Sequence, residues 1–210
     1  MARPDARERL LDAAVTLFRR NGYAATSVDA LCAAAGVTKG AFFHHFKSKD
    51  ALGVAAAEHW TATTSALFAT AAYHDPGDPL ERVRAYLDFR RALAVGALEE
   101  ITCLAGTLAQ ETYASHPAIA QACGDSICGH AGVLEDDIAQ AMARHGVRAG
   151  WTARSLALHV QVVLQGAFVV AKARGEPGLV AESLDHLRSY IDALFGASRE
   201  SPPSTPEKIP

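Results

Sequence analysis

The sequence predicts an all-α protein. Half of the 210 residues are apolar and alanine and leucine abound. The apolar positions recur at helical spacing over long segments. Alternating runs of β-branched and polar residues, the mark of strands, are nearly absent. About nine helices are expected: three short ones forming a helix-turn-helix unit, then a larger helical body.

The first helix is expected over residues 4–20, with Leu10, Leu11, Ala14, Val15, Leu17 and Phe18 on one face and Arg3, Arg7, Arg19 and Arg20 off it. Asn21-Gly22 ends it, glycine supplying the left-handed residue that closes a helix. Thr26-x-x-Asp29 resembles a capping box for the second helix, although Ser27 could equally be the cap. That helix carries Val28, Leu31 and Cys32 inward, and Gly36 turns the chain. Thr38 is placed to cap the third helix, whose first turn is Lys39-Gly40-Ala41. Its free N–H groups and dipole favour phosphate. Ser48 caps a fourth helix over 49–72, long enough to join head to body, and Asp75-Pro76-Gly77-Asp78-Pro79 ends it. Further helices are expected over 80–95, 99–115, 117–145, 152–174 and 177–195. The last stretch, 198–210, has the proline-, serine- and charge-rich composition of a disordered tail.

Two helices around a glycine turn, the second capped at its start, are how a helix-turn-helix presents one helix to the DNA major groove. Charge agrees: residues 1–50 hold eight Lys/Arg against five acids, a net +3, whereas the remainder carries −6. A basic head on an acidic body suits one end neutralising phosphates. No apolar run approaches the ~20 residues needed to cross a bilayer, and no signal-peptide core follows the charged start. A cytoplasmic protein without a membrane partner is therefore expected. Cys32, Cys103, Cys123 and Cys128 then read as thiols rather than a disulfide framework. Metal is not expected. His44-His45 diverge by about 100° on a helix, and Cys123-x-x-x-x-Cys128-x-His130 lacks zinc spacing.

The first 52 or so residues resemble the DNA-binding domain of the TetR/AcrR family of bacterial repressors. The resemblance is carried by Leu11-Asp12-Ala13-Ala14, Leu17-Phe18, Asn21-Gly22-Tyr23, Thr26-Ser27-Val28 and the run from Ala35-Gly36-Val37-Thr38-Lys39-Gly40 to Phe46-Lys47-Ser48-Lys49-Asp50-Ala51-Leu52. It implies that Thr38, Lys39, Gly40, Phe43 and His44 face the groove or its flanking phosphates, and that Thr26, Ser27, Lys47 and Lys49 hold the backbone. Lys39 is the best candidate for reading a guanine edge. No Arg, Asn or Gln stands on the recognition helix, so part of the specificity is expected from DNA shape. Phe42 and Phe46 are expected in the core.

The resemblance divides the chain into a DNA-binding head, 1–50, and an effector-binding and dimerisation body, 51–197. Trp60, Tyr86, Phe89, Cys103, Thr107, Gln110, Tyr113 and His159 are the expected lining of a cavity for an unknown small-molecule effector. Cys103, Thr107 and Gln110 share a helical face at i, i+4 and i+7, beside Gly106. The stretch around Cys103 is similar to a Cys-Leu-x-Gly-x-Leu-x-Gln-Glu pattern of some TetR-type proteins, certain of which sense electrophiles or oxidants through a cysteine. A thiol switch at Cys103 is thus the alternative reading.

Leu156, Val163, Gly166 and Val170, followed by Leu187, Tyr190, Ile191 and Leu194, form apolar stripes read as a homodimer interface, a four-helix bundle across a two-fold axis. Such a dimer implies a near-palindromic double-stranded DNA operator. The expected mechanism is a repressor whose effector shifts the fourth helix and changes the separation of the heads. No nucleophile–base pair or cofactor loop supports the rival reading, a small helical enzyme or carrier. Neither catalysis nor a cofactor is expected.

Overall fold

The computed structural model describes residues 5–196, and the expected tail at 198–210 lies outside the described residues. It contains α1 (Ala6–Asn21), α2 (Val28–Ala35), α3 (Lys39–His45), α4 (Lys49–Ala69), α5 (Pro79–Leu93), α6 (Leu98–Ile101), α7 (Leu104–Thr112), α8 (Pro117–His145), α9 (Ala153–Arg174) and α10 (Gly178–Gly196). A single 3₁₀ turn, Ala72–His74, follows α4, and no strand occurs among the described residues.

Most starts follow from short polar side chains that satisfy free N–H groups. Asp5 and Glu8 form a reciprocal capping box on α1, and Thr38 and Ser48 accept from Ala41 and Ala51. Ser27, not Thr26, caps α2, accepting from the Ala30 N–H at 3.1 Å. Asp78 and the following Pro79 open α5, and Thr152 with Ser155 opens α9. Gly36, at φ 62°, ends α2 in the left-handed conformation that makes the tight turn into α3.

Ten α-helices stand where nine were expected, because the segment 99–115 is two helices rather than one. Thr102 is extended (ψ 157°), and Cys103 caps α7 instead of riding on its face, its Sγ accepting from the Gly106 N–H at 3.4 Å. The carbonyls freed at this break are taken by Arg19 of α1: its Nε donates to the Thr102 oxygen at 2.8 Å and a terminal nitrogen to that of Glu100. The fourth helix also ends three residues early, at Ala69 instead of 72.

Two apolar cores result. The first gathers Leu10, Phe18, Leu31, Phe42 and Phe46 from the head, as expected for both phenylalanines. It does not stop at Asp50, continuing through Leu52 and Ala56 into Leu104, Leu108 and Ile119. Each such large side chain contributes about 1.5–3 kcal/mol on burial. The second core fills the body between α5, α8, α9 and α10, with Tyr86, Leu134, Ile138, Val160, Leu184 and Ile191 at its centre. α8 packs against α4, α5, α7 and α9 and so spans both. Ion pairs edge the body: Arg82–Asp137 at 2.7 Å, Arg84–Asp192 at 2.6 Å and Arg91–Asp185 at 2.8 Å.

α9 corrects the expectation that no segment is long and apolar enough to span a bilayer. Its 22 residues include a window of mean hydropathy 1.5, of which 39% is buried in the body. Its inward face packs in the core, and its outward face carries Val162, Val169 and Val170. Leu156, Leu187 and Ile191, expected at the dimer interface, are core residues of a single chain because those positions of α9 and α10 turn toward α5 and α8. Val163 and Leu194 are half-buried, while Gly166, Val170 and Tyr190 lie open.

Candidate nucleic-acid interface and ligand cavity

α3 is held from behind and bare in front. Phe42 and Phe46 anchor it in the head core, and Thr38, Lys39, Gly40, Phe43 and His44 are exposed. Phe43, 52% exposed, stands edge-on to Phe42. Lys39 meets Asp29 of α2 at 2.9 Å, a solvated pair of the weak surface kind. Ser27, Lys47 and Ser48 are also exposed. The exposed set combines hydroxyls, ammoniums, an imidazole and an aromatic ring, a composition suited to phosphate and sugar contacts.

Two expected backbone-holding residues are turned inward. Thr26 is buried, its hydroxyl donating to the Gly22 carbonyl at 2.7 Å. The Lys49 ammonium donates to the carbonyls of Tyr23 and Thr26 at 3.0 and 3.1 Å and lies 4.2 Å from the Tyr23 ring. Both hold the α1–α2 turn together, because its carbonyls need donors where no helix supplies them.

The same turn is bound to the body. The Glu111 carboxylate at the end of α7 accepts the Tyr23 and Ala24 N–H groups at 3.0 and 2.9 Å. Gly22, at φ 86°, is needed here twice over: a Cβ would be strained, and it would fall 2.3 Å from a Glu111 oxygen. Lys172 of α9 donates to the Arg19 carbonyl at 3.0 Å and to the Thr107 hydroxyl at 2.9 Å.

A cavity of about 190 Å³ opens between α4, α5, α8 and α9, closed at one side by the α6–α7 break. Trp60 and Cys103 line it, as expected. Thr107 and Gln110 instead border a second, shallower hollow with Cys103, Glu111 and Lys172. Tyr86 lies beneath the main cavity, buried, its hydroxyl accepting from Arg90 Nε at 2.9 Å and Gln161 Nε2 at 3.4 Å. Phe89 packs edge-on to Phe68 instead of facing the cavity. Tyr113 is 75% exposed, because the chain leaves α7 there. His159 is exposed on α9 against Tyr190 of α10.

Residues not singled out from sequence supply most of the polar lining. Arg19, from the head, lies 4.8 Å over the Trp60 ring. The Arg90 guanidinium lies 4.2 Å over Phe68. His130 faces the Thr64 hydroxyl at 3.2 Å, and burial, with Arg90 adding, pulls its imidazole down to about 4. Thr102 is 1% exposed, and its hydroxyl has no hydrogen-bond partner. The i, i+4 spacing of Tyr86 and Arg90 could have flagged their contact in the sequence; the approach of Arg19 from 83 residues away could not. Burial pushes the Cys123 thiol up to about 12, in keeping with packing.

With this geometry in hand, residues 10–56 match the family model described as bacterial regulatory proteins, tetR family, and residues 79–180 the one described as the transcriptional regulator LmrA/YxaF-like C-terminal domain. The HTH-type transcriptional regulator LmrA of Bacillus subtilis is 28% identical over 142 residues, covering 67% of this chain and 74% of that one. The HTH-type transcriptional repressor DhaR of Mycobacterium sp. is 28% identical over 111 residues, covering 53% and 54%. The chain spans about half the length of DhaR and less of other curated relatives it matches. A TetR-family regulator structure from Agrobacterium tumefaciens superposes with a TM-score of 0.78 over 88% of this chain and 96% of that one, at 22% identity, a likeness of fold.

The partly buried His130 imidazole is expected to make the body acid-sensitive. His130 stays neutral when folded down to about pH 4 but takes a proton near 6.5 when unfolded. The unfolded state therefore binds more protons between these values, and stability present above pH 6.5 is lost as pH falls toward 4. His130→Gln is expected to flatten this dependence: its thermal midpoint, followed by circular dichroism, should drop less than that of the native chain between neutral and acid buffer. Equal drops would show that His130 is not the sensitive group.

Proposed function

Because the chain belongs to the TetR family of bacterial regulatory proteins, we propose that it is a homodimeric DNA-binding transcriptional regulator, a repressor released from a near-palindromic operator when a small molecule enters the cavity. The observation that carries this reading is Arg19, a residue of the head in the wall of the body's cavity. A molecule filling that space touches α1 directly and α4 through Trp60 and Thr64. Both helices lead to α3.

In this reading Thr38, Lys39, Gly40, Phe43 and His44 meet the operator. Ser27 and Lys47 hold phosphates, and Thr26 and Lys49 keep the turn in shape. Cys103 serves as a cap and a wall residue. The dimer face is the outward side of α9 and α10: Val162, Gly166, Val169, Val170 and Tyr190, with Val163 and Leu194 at its edge. Three exposed valines on one helix are costly to leave in water, and pairing with a second copy across a two-fold axis covers them. Effector and operator then weaken each other's binding by the same factor.

Three measurements test the reading. Against a site found by genomic footprinting, the Lys39→Ala, His44→Ala double variant should bind with Kd raised about tenfold or more and with a salt slope shallower by about 1; unchanged affinity would exclude α3 as the reading helix. Val162→Glu with Val170→Glu should sediment as a helical monomer, since both positions are exposed; a species of twice that mass would put the interface elsewhere. Operator binding should alter amide exchange over residues 97–104 in the native chain but not in Arg19→Met, because coupling is reciprocal. The same change in both would remove Arg19 from the path.

A further inference from the structure

The lining of the cavity also bears on the charge of its guest, an inference that rests on the effector reading above. α5 carries four arginines, and three of them, Arg82, Arg84 and Arg91, are paired with the carboxylates of Asp137, Asp192 and Asp185. Arg90 is the exception. Its Nε donates to the Tyr86 hydroxyl and its plane lies against the Phe68 and Tyr86 rings at 4.2 and 5.2 Å, yet among the described residues no carboxylate lies within ion-pair distance of it. Stacking and the Tyr86 hydroxyl fix the fork in one plane, and its terminal nitrogens have no acceptor among the described residues. A guanidinium so held is a ready bidentate partner for a carboxylate.

The rest of the wall has the same bias. Arg19 spends its hydrogen bonds on main-chain carbonyls and makes no ion pair among the described residues, although the carboxylates of Glu99 and Glu100 offset part of its charge from a distance. Glu100, the one acid among the lining residues, has its carboxylate engaged by the Ala97 N–H at 3.0 Å. The buried Thr102 hydroxyl, without a partner, offers a donor to an entering group. Trp60, Leu67, Phe68, Leu164 and Phe168 supply the apolar remainder.

We propose that the cavity selects an anionic amphiphile: a compact aromatic or otherwise apolar body bearing one carboxylate or comparable acid, seated on Arg90, with the Thr102 hydroxyl as a second point of contact. An amine would face two guanidiniums and gain no acid except one already engaged. The guest's contact with Thr102 also acts on the residue whose carbonyl holds Arg19, so recognition and release share an atom's neighbourhood.

Three probes with one ring system test this by calorimetry on the full chain: 2-naphthoate, 2-naphthalenemethanol and 2-naphthylmethylammonium. The carboxylate should bind about tenfold or more tightly than the alcohol, and the ammonium weakest. Arg90→Met should erase the preference and Arg90→Lys keep part of it. In the native chain naphthoate should raise the titration midpoint of the His130 imidazole, since the charge beside it is then offset. Equal or tighter binding of alcohol or ammonium, no binding by any of the three, or a preference that survives in a folded Arg90→Met overturns the inference. Operator release is read separately. Arg90-dependent binding of naphthoate that leaves DNA bound supports the charge assignment and refutes the effector reading. Release by the alcohol, independent of Arg90, keeps the effector reading and overturns the charge assignment.

Discussion

The interaction on which the rest of the structure depends is the grip of Arg19 on the carbonyls of Glu100 and Thr102. A chain that leaves one helix at Ile101 and enters another at Leu104 leaves main-chain oxygens without helical partners, one of them on the buried Thr102. An unpaired carbonyl there would cost about as much as a lost hydrogen bond. The donor comes from the last turn of α1, so the head satisfies a break in the body. The same guanidinium stacks on Trp60 of α4, and Lys172 of α9 closes over the Arg19 carbonyl. Head, connecting helix and body therefore meet on one side chain.

That arrangement changes what α4 does. As a lone lever, the helix would need to transmit a displacement along its length from the cavity to Ser48. With α1 also in the cavity wall, the head is held at two points, by α4 through shared core residues such as Leu52 and Ala56 and by α1 through polar contacts. Two points of attachment define a rotation, whereas one defines only a tether.

The local signals of the fold were legible because they are short-range: Thr38, Ser48 and Gly36 act within one turn of chain, and the apolar period that puts Phe42 and Phe46 inside is written in seven residues. The exposed face of α3 followed from the same period. Thr26 and Lys49 went the other way, since their partners are carbonyls of a turn whose path no local pattern encodes. The segment 99–115 reads as one helix by periodicity, and its break appears only when Arg19 is brought to it. Cavity residues split along the same line: Trp60 and Cys103 were found by type, whereas Arg19, Arg90, His130 and Thr102 gain their roles from long-range approach and from what they lack as partners. For the outward stripe, periodicity locates the helices but not which apolar side faces inward, and Leu156, Leu187 and Ile191 lie in the core of the single chain.

The joint between head and body is written largely in peptide groups. Arg19 holds two carbonyls, Lys172 holds another, and Glu111 holds two N–H groups. Peptide groups are the same whatever side chain they bear, so these polar contacts ask for particular side chains only at Arg19, Glu111 and Lys172, with Gly22 giving room, while Tyr23, Leu52, Leu104 and Ile119 hold the same joint through the shared apolar core. The geometry of the joint therefore rests on main-chain groups together with a shared apolar core, one directional and the other not.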